Sequence, residues 1–338
     1  MAKERIIAFH RANKVGDNVV AIKSLYVLKY LYPDFKLMVL TNGVGRGLYR
    51  HLGFIDYLFD IDESAQMAEV REMELDLLII THKCLPNITL AKSLNARKII
   101  MYAHAHNLFA SRFQVVFPRG IKSHHESENI LYLVRAINKA HFDKNYPFID
   151  FSQARLVAGT ENKAFVEAFF TEQKLGIDSQ TFKRRIIAIN IFASPSKPCN
   201  FSLKKWVEII NALCARFTKI DFILTSFVGA PYDLHACKEL NAPNCKIFVN
   251  NADILNLIAL FERVDGLISV DTGNIHIADN MRLPTFGLYS RAVLERWSGG
   301  NYGGVFEAFC VENAPKVGNK ELFIQKATAF LEREILIS

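Results

Sequence analysis

The chain has 338 residues, half of them hydrophobic and 22% charged, a composition that excludes a disordered protein and a length that fits two domains of about 150 residues each. Its 41 Lys and Arg against 34 Asp and Glu leave a net charge of +7, compatible with a phosphorylated substrate, an anionic membrane face or nucleic acid, and selecting none of them. No apolar run approaches the roughly 18 residues of a membrane span, and the opening MAKERIIAFH reads as a first strand, not as a secretory signal. Six scattered cysteines without a C-x-x-C pair read as reduced thiols in a cytoplasmic protein.

Short apolar runs alternate with helical patterns along the chain. Arg5–His10 reads as a strand and Asp17–Tyr32 as a helix, with Ala21, Leu25, Leu28 and Tyr32 on one face. Strands follow at Phe35–Leu40, Ile55–Phe59, Leu75–Ile80 and Arg97–Tyr102, with helices at Glu63–Glu74 and Glu126–Ala140. The pattern loses regularity between residues 141 and 185, where only Glu161–Gln173 reads as a helix. It resumes with strands Ile186–Phe192, Asp221–Thr225, Lys246–Val249, Gly266–Val270 and Pro284–Tyr289. The intervening helices are Ser202–Phe217, Tyr232–Leu240, Asp253–Arg263 and Asn274–Met281, and Lys320–Glu334 closes the chain. Strand-helix alternation of this kind predicts an α/β protein with doubly wound parallel sheets. Ligands of such sheets bind outside the carboxyl ends of the strands.

Four strand-to-helix junctions carry candidate chemistry. Arg11-Ala-Asn13-Lys14-Val-Gly16-Asp17 follows the first strand, and Asp17 there either caps the helix or serves as a general base. Asp271-Thr272-Gly273-Asn274-Ile-His276 opens a later helix, whose first N–H groups are suited to phosphate oxygens. Lys197 follows strand Ile186–Phe192 and could meet a phosphate; Asp233 could accept from ribose hydroxyls or cap the next helix. Asp60-Ile-Asp62 ends a short strand and reads as a chance match to a metal-binding D-x-D. Gly43-Val-Gly45-Arg-Gly47 is glycine-rich after the second strand, but it lacks the dinucleotide fingerprint and its position, which argues against an NAD enzyme.

Taken in order, these residues resemble the heptosyltransferases of glycosyltransferase family 9. The resemblance rests on Arg11-x-x-x-x-Gly16-Asp17, His125-Glu126-x-Glu128, Gly229-x-Pro231-x-Asp233 and Val270-Asp271-Thr272-Gly273-x-x-His276, spread over about residues 5 to 290. It implies a GT-B architecture of two Rossmann-like domains. These would be an acceptor-binding domain over residues 1–155, a nucleotide-sugar domain over 156–318, and a closing helix over 319–338 that packs back toward the first domain. It also implies an inverting, metal-independent transferase with no cofactor beyond its nucleotide-sugar substrate, ADP-heptose. The acceptor would be a phosphorylated, lipid-linked sugar of the lipopolysaccharide or lipooligosaccharide core. The protein would be cytoplasmic, with peripheral contact at the inner-membrane surface, and without nucleic acid as a partner.

By the same resemblance Asp17 is the general base, supported by the loop of Arg11, Asn13, Lys14 and Gly16. Lys197 and the turn of Asp271, Thr272 and Gly273 hold the donor diphosphate, Asp233 its ribose, and His276 completes the donor-binding set. Arg112, Arg119 and Lys122, in a basic and aromatic stretch, are candidates for the acceptor. Two departures stand out. Cys199 falls where the family has its lysine, two residues beyond Lys197, and Ser290–Trp297 replaces the family's usual loop after the last strand. The alternatives are a GT-B transferase with another nucleotide-sugar donor and a catalytically silent nucleotide-sugar binding protein.

Overall fold

In the computed structural model, the described residues are 4–108, 111–117, 124–176, 184–193 and 199–336. The chain divides into two compact units, Met1–Leu156 and Val157–Ser338. The first contains β1 (Ile6–His10), α1 (Val15–Leu31), β2 (Lys36–Thr41), α2 (Gly43–Tyr49), β3 (Tyr57–Asp60), α3 (Ser64–Glu72) and β4 (Leu75–Ile80). It continues with α4 (Leu85–Ser93), β5 (Ala96–Tyr102), β6 (Phe113–Val116), α5 (Glu126–Arg135) and α6 (Lys139–Asn145). Its six strands are all parallel, in the order β3-β2-β1-β4-β5-β6.

The central strand β1 is buried along its whole length, as a strand covered on both faces must be. Ile6 and Ala8 join Met38, Leu40, Leu78 and Ile80 in one core cluster. The sheet ends in register, with His10 opposite both Leu40 and Ile80. The loops after β1 and β4 therefore leave the sheet side by side. That place is the topological switch point, where the chain turns to opposite sides.

The second unit contains α7 (Thr160–Gln173), β7 (Arg185–Asn190), α8 (Leu203–Arg216), β8 (Ile220–Phe227), β9 (Cys245–Asn250) and α9 (Leu255–Phe261). Then come β10 (Gly266–Val270), α10 (Gly273–Asn280), β11 (Thr285–Ser290), α11 (Arg291–Trp297), β12 (Phe306–Val311) and α12 (Asn319–Leu331). Its parallel sheet runs β12-β11-β10-β7-β8-β9, which is the order of the first sheet with its own strands renumbered. Here the switch point lies between β7 and β10. An aromatic cluster packs one face: Phe323 of α12 meets Trp206 at 5.5 Å, Phe286 at 5.2 Å and Phe309 at 5.4 Å between ring centroids. The closing helix is thus part of the second unit's own core, not a segment apart from it.

Several readings of the sequence need correction. Residues 232–240 form turns, not a helix. Asp233 takes the N–H groups of His235 and Ala236 at 3.0 and 3.4 Å, a local bond that competes with the helical pattern. The glycine-rich stretch after β2 is the helix α2, capped by the Asn42 side chain, which accepts from Gly45 N at 3.1 Å. Within the basic and aromatic stretch lies the edge strand β6. The helix expected to run to residue 140 stops at Arg135, and α6 follows separately.

Candidate active site

In the first unit the candidate residues converge on the loop after β1. Arg11 is 1% exposed, which for an arginine requires several partners. Its Nη2 donates to Asp17 Oδ1 at 2.9 Å and to Glu126 Oε1 at 3.1 Å, and its Nε donates to the Asp17 carbonyl at 3.1 Å. Nη1 reaches Thr81 Oγ1 at 3.4 Å, and that hydroxyl donates to the His10 carbonyl at 2.9 Å. One guanidinium thus gathers the loops after β1 and β4, the first turn of α1 and the start of α5.

Asp17 differs from its partners in being reachable. Its side chain is 24% exposed, against 8% for Glu126. The cation that orients Asp17 also pairs with a second carboxylate, that of Glu126.

The rest of the loop is held by amides. Asn18 Nδ2 donates to the carbonyls of Asn13 and Lys14 at 3.0 and 3.2 Å, and Asn42 Nδ2 donates to Asn13 O at 3.1 Å. Gly16 is buried and Lys14 is exposed. Beside them His10 is 2% exposed, and neither ring nitrogen finds a hydrogen bond. Burial first, then the charges of Arg11 and His82, lower its pKa to about 4, so the imidazole is neutral.

In the second unit Asp271, Thr272 and Gly273 form the junction from β10 to α10. Asp271 is buried and its N–H donates to Leu288 O at 3.0 Å. Thr272 occupies the N-cap position, but its side chain does not cap the helix. Its hydroxyl accepts from Asn190 Nδ2 at 3.1 Å, an amide that also donates to Ser269 Oγ at 3.1 Å. Asn190 thereby ties the ends of β7 and β10 together at the switch point. Ile275 N donates to Thr272 O at 3.2 Å, and the amide dipoles at this end of α10 favour an anion. His276 is buried in α10 with its ring 5.7 Å from that of Trp297.

Trp297 belongs to α11, inside the segment that departs from the family pattern. Its carbonyl accepts from the buried Tyr289 hydroxyl at 2.8 Å. The following loop is pinned by Asp279, which accepts from the N–H groups of Gly300 and Asn301 at 2.9 and 3.1 Å. Burial outweighs these bonds and raises the Asp279 pKa above the usual carboxylate value.

A cavity of about 240 Å³ opens at the carboxyl ends of β7, β8 and β9, with Asn190, Phe227, Asn250 and Asn274 among its walls. A larger hollow of about 780 Å³ lies at the other end of the sheet, by Arg184, Asp221 and Asn244, and none of the candidate residues lines it. Position at the carboxyl ends, not size, marks the smaller cavity as the one of interest.

The remaining candidates fall elsewhere. Arg112 is exposed, and its guanidinium donates to the carbonyls of Lys92, Leu94 and Ala96 at 3.0 to 3.3 Å, binding the end of α4. Asp233 is exposed in its turn. Lys197, Arg119 and Lys122 lie outside the described residues. Glu126, within the His125-Glu126-x-Glu128 motif, Thr81 and Asn190 join the candidates through the fold, since local spacing does not mark them as site residues.

A model of glycosyltransferase family 9 (heptosyltransferase) matches residues 71–321. The chain belongs to this family. A Haemophilus influenzae protein with the provisional description of a glycosyltransferase is 24% identical over 328 residues, covering 91% of this chain and 89% of that protein. Among solved structures, a family 9 glycosyltransferase from Veillonella parvula superposes with a TM-score of 0.75 at 15% identity, over 98% of this chain and 99% of the other. The ADP-heptose lipopolysaccharide heptosyltransferase II of E. coli gives 0.69 at 13%, over 98% and 99%. The E. coli heptosyltransferase WaaC, solved with ADP, gives 0.68 at 14%, over 97% and 99%. At these identities the structures speak for the fold, and the two parallel sheets are those of the GT-B architecture. The family 9 chain is a glycosyltransferase. Among the described residues no helix is long and apolar enough to cross a membrane.

Proposed function

We propose that this family 9 chain transfers a heptose from ADP-heptose to a phosphorylated, lipid-linked acceptor of the lipopolysaccharide or lipooligosaccharide core, with inversion and without a bound metal. The observation that carries the reading is the Asp17 carboxylate, partly exposed and oriented by a buried arginine shared with Glu126. A pure binding module gains nothing from a reachable carboxylate held in this way.

In the proposed reaction Asp17 takes the proton of the acceptor hydroxyl, for which it must come within about 2.6–3.2 Å of that oxygen. The oxygen attacks the anomeric carbon from the face opposite the diphosphate. The bond from that carbon to the diphosphate oxygen breaks, and ADP leaves with the electron pair. The Asp271–Gly273 junction, with the first N–H groups of α10, would receive the developing charge. Lys197 would add a cation and Asp233 would meet the ribose. WaaC in complex with ADP, and with ADP-2-deoxy-2-fluoro heptose, supports an adenine nucleotide donor. The net charge of +7 suits an acceptor presented at an anionic cytoplasmic membrane face.

The test is calorimetric titration of the purified protein with ADP, UDP, GDP and NAD, without added metal. Selective binding of ADP is the expected result. Preference for UDP or GDP would move the chain to another donor within the transferases. Absence of all nucleotide binding would overturn the donor reading.

A further inference from the structure

We propose that Cys214 and Cys245 are a modification site of the second unit, where hydrogen peroxide joins the two thiols reversibly in a disulfide. The proposal does not depend on the donor reading above.

The two cysteines lie in different elements, and only the fold brings them together. Cys214 is in the last turn of α8, buried in the core of the second unit. Cys245 is the first residue of β9, half-buried and packed against the same core. Its N–H donates to Ala242 O at 3.1 Å. The neighbouring Asn244 sets their approach: its Nδ2 donates to the carbonyls of Cys214, Phe217 and Ile220 at 3.3, 3.1 and 2.9 Å. That amide clamps the end of α8 to the residue before β9. The Cys214 thiol then hydrogen-bonds to the sulfur of Cys245. Closing the bridge shortens this contact to the S–S length of about 2.05 Å.

The pair is also placed to meet an oxidant. β9 is the edge strand of its sheet. Beside it the hollow of about 780 Å³ is walled by Cys214, Asn244 and Lys246, with Lys174 and Arg184. A molecule of peroxide is little larger than water, and such a space holds many waters. Of the two thiols Cys245 is the more acidic. The bond from Cys214 holds its pKa below the usual thiol value; burial opposes this and Lys246 adds to it. The same bond, together with burial, raises the pKa of Cys214. The thiolate is the nucleophile, so Cys245 reacts first and Cys214 resolves.

In the first step the Cys245 sulfur attacks one peroxide oxygen. The O–O bond breaks, hydroxide leaves and takes up a proton as water, and Cys245 becomes a sulfenic acid. In the second step the Cys214 sulfur attacks the Cys245 sulfur. The S–O bond breaks, and the hydroxide that leaves takes up the Cys214 proton. Two thiols and one peroxide thus give one disulfide and two waters; sulfur is oxidised and the peroxide oxygens are reduced. The bridge closes a loop that contains β8 and Asp233, which constrains the unfolded chain.

The test adds a few equivalents of hydrogen peroxide to the full-length protein and counts free thiols after denaturation. Two of the six thiols are expected to disappear, with the intact mass lower by two hydrogens. Peptide mapping is expected to join Cys214 to Cys245, and dithiothreitol to restore all six thiols. The Tm of the oxidised form is expected to rise by about 5 °C. In Cys214→Ser the reaction is expected to stop at the sulfenic acid, which dimedone labels on Cys245. In Cys245→Ser no disulfide is expected. A wild type that keeps all six thiols overturns the proposal. So does a disulfide between other cysteines, or a loss of two thiols in Cys245→Ser equal to that of the wild type.

Discussion

Arg11 and Glu126 are 115 positions apart in the chain, yet Arg11 Nη2 stands 3.1 Å from Glu126 Oε1, and both side chains are buried. Replacing Arg11 by Met removes the guanidinium that ties the loops after β1 and β4, α1 and α5 to one point. A buried ion pair broken from one side costs about 3–5 kcal/mol. The expected result is a loss of that order in urea unfolding. The double variant Arg11→Met with Glu126→Gln should recover part of it, because the stranded charge is removed as well.

Asp17→Asn keeps the size of the side chain and an oxygen for Arg11, but it removes the base. Turnover is expected to fall by about 10²–10⁴-fold, with donor affinity unchanged within a factor of about two. Calorimetry and a transfer assay on the same preparation separate the two effects. Unchanged turnover would remove Asp17 from the chemistry.

His10 gives the first unit a dependence on acid. Its pKa is lowered from 6.5 to about 4 by burial and by its cationic neighbours. Between those values the unfolded chain binds a proton that the folded chain does not. Stability is therefore full above about pH 6.5 and declines as the pH falls toward 4, by up to about 3 kcal/mol. Unfolding of His10→Leu should show a shallower loss between pH 7 and pH 4.5 than the wild type. Parallel curves would show that His10 does not supply the slope.

Gly45 is required by contact, not by backbone conformation. A Cβ at this position would run into the Thr41 side chain and would come within 3.1 Å of Asn18 Oδ1. Asn18 is the residue that orders the loop before Asp17. Gly45→Ala is expected to cost about 1–3 kcal/mol, as overpacking does, and to lower turnover more than donor binding. Adding Thr41→Ala should restore part of the stability, measured by thermal unfolding.

How far the sequence speaks depends on the range of each interaction. Leu75–Ile80 and Gly266–Val270 are read with their ends in place, because a short apolar run bounded by polar residues has one economical fit in a parallel sheet. β12 is missed because Glu307 and Cys310 interrupt its pattern at the sheet edge. α2 is missed because its three glycines argue for a loop, while an asparagine cap and tertiary packing decide for a helix. In the site, Arg11 and Asp17 are six positions apart and visible as a motif. Glu126 and Asn190 act through folding of distant segments, which no local spacing records.

The boundary at Leu156 and Val157 has a consequence for biosynthesis. Arg11, Thr81, Asp17 and Glu126 all precede it, so the groups that orient the Asp17 carboxylate are present before any residue of the second unit is added to the growing chain. At about 5–20 residues per second, the ribosome needs on the order of ten seconds or more to complete the rest, while domains of this class fold in milliseconds to seconds. The two halves of the enzyme can thus fold in sequence, the first settling its internal charges while the second is still being made.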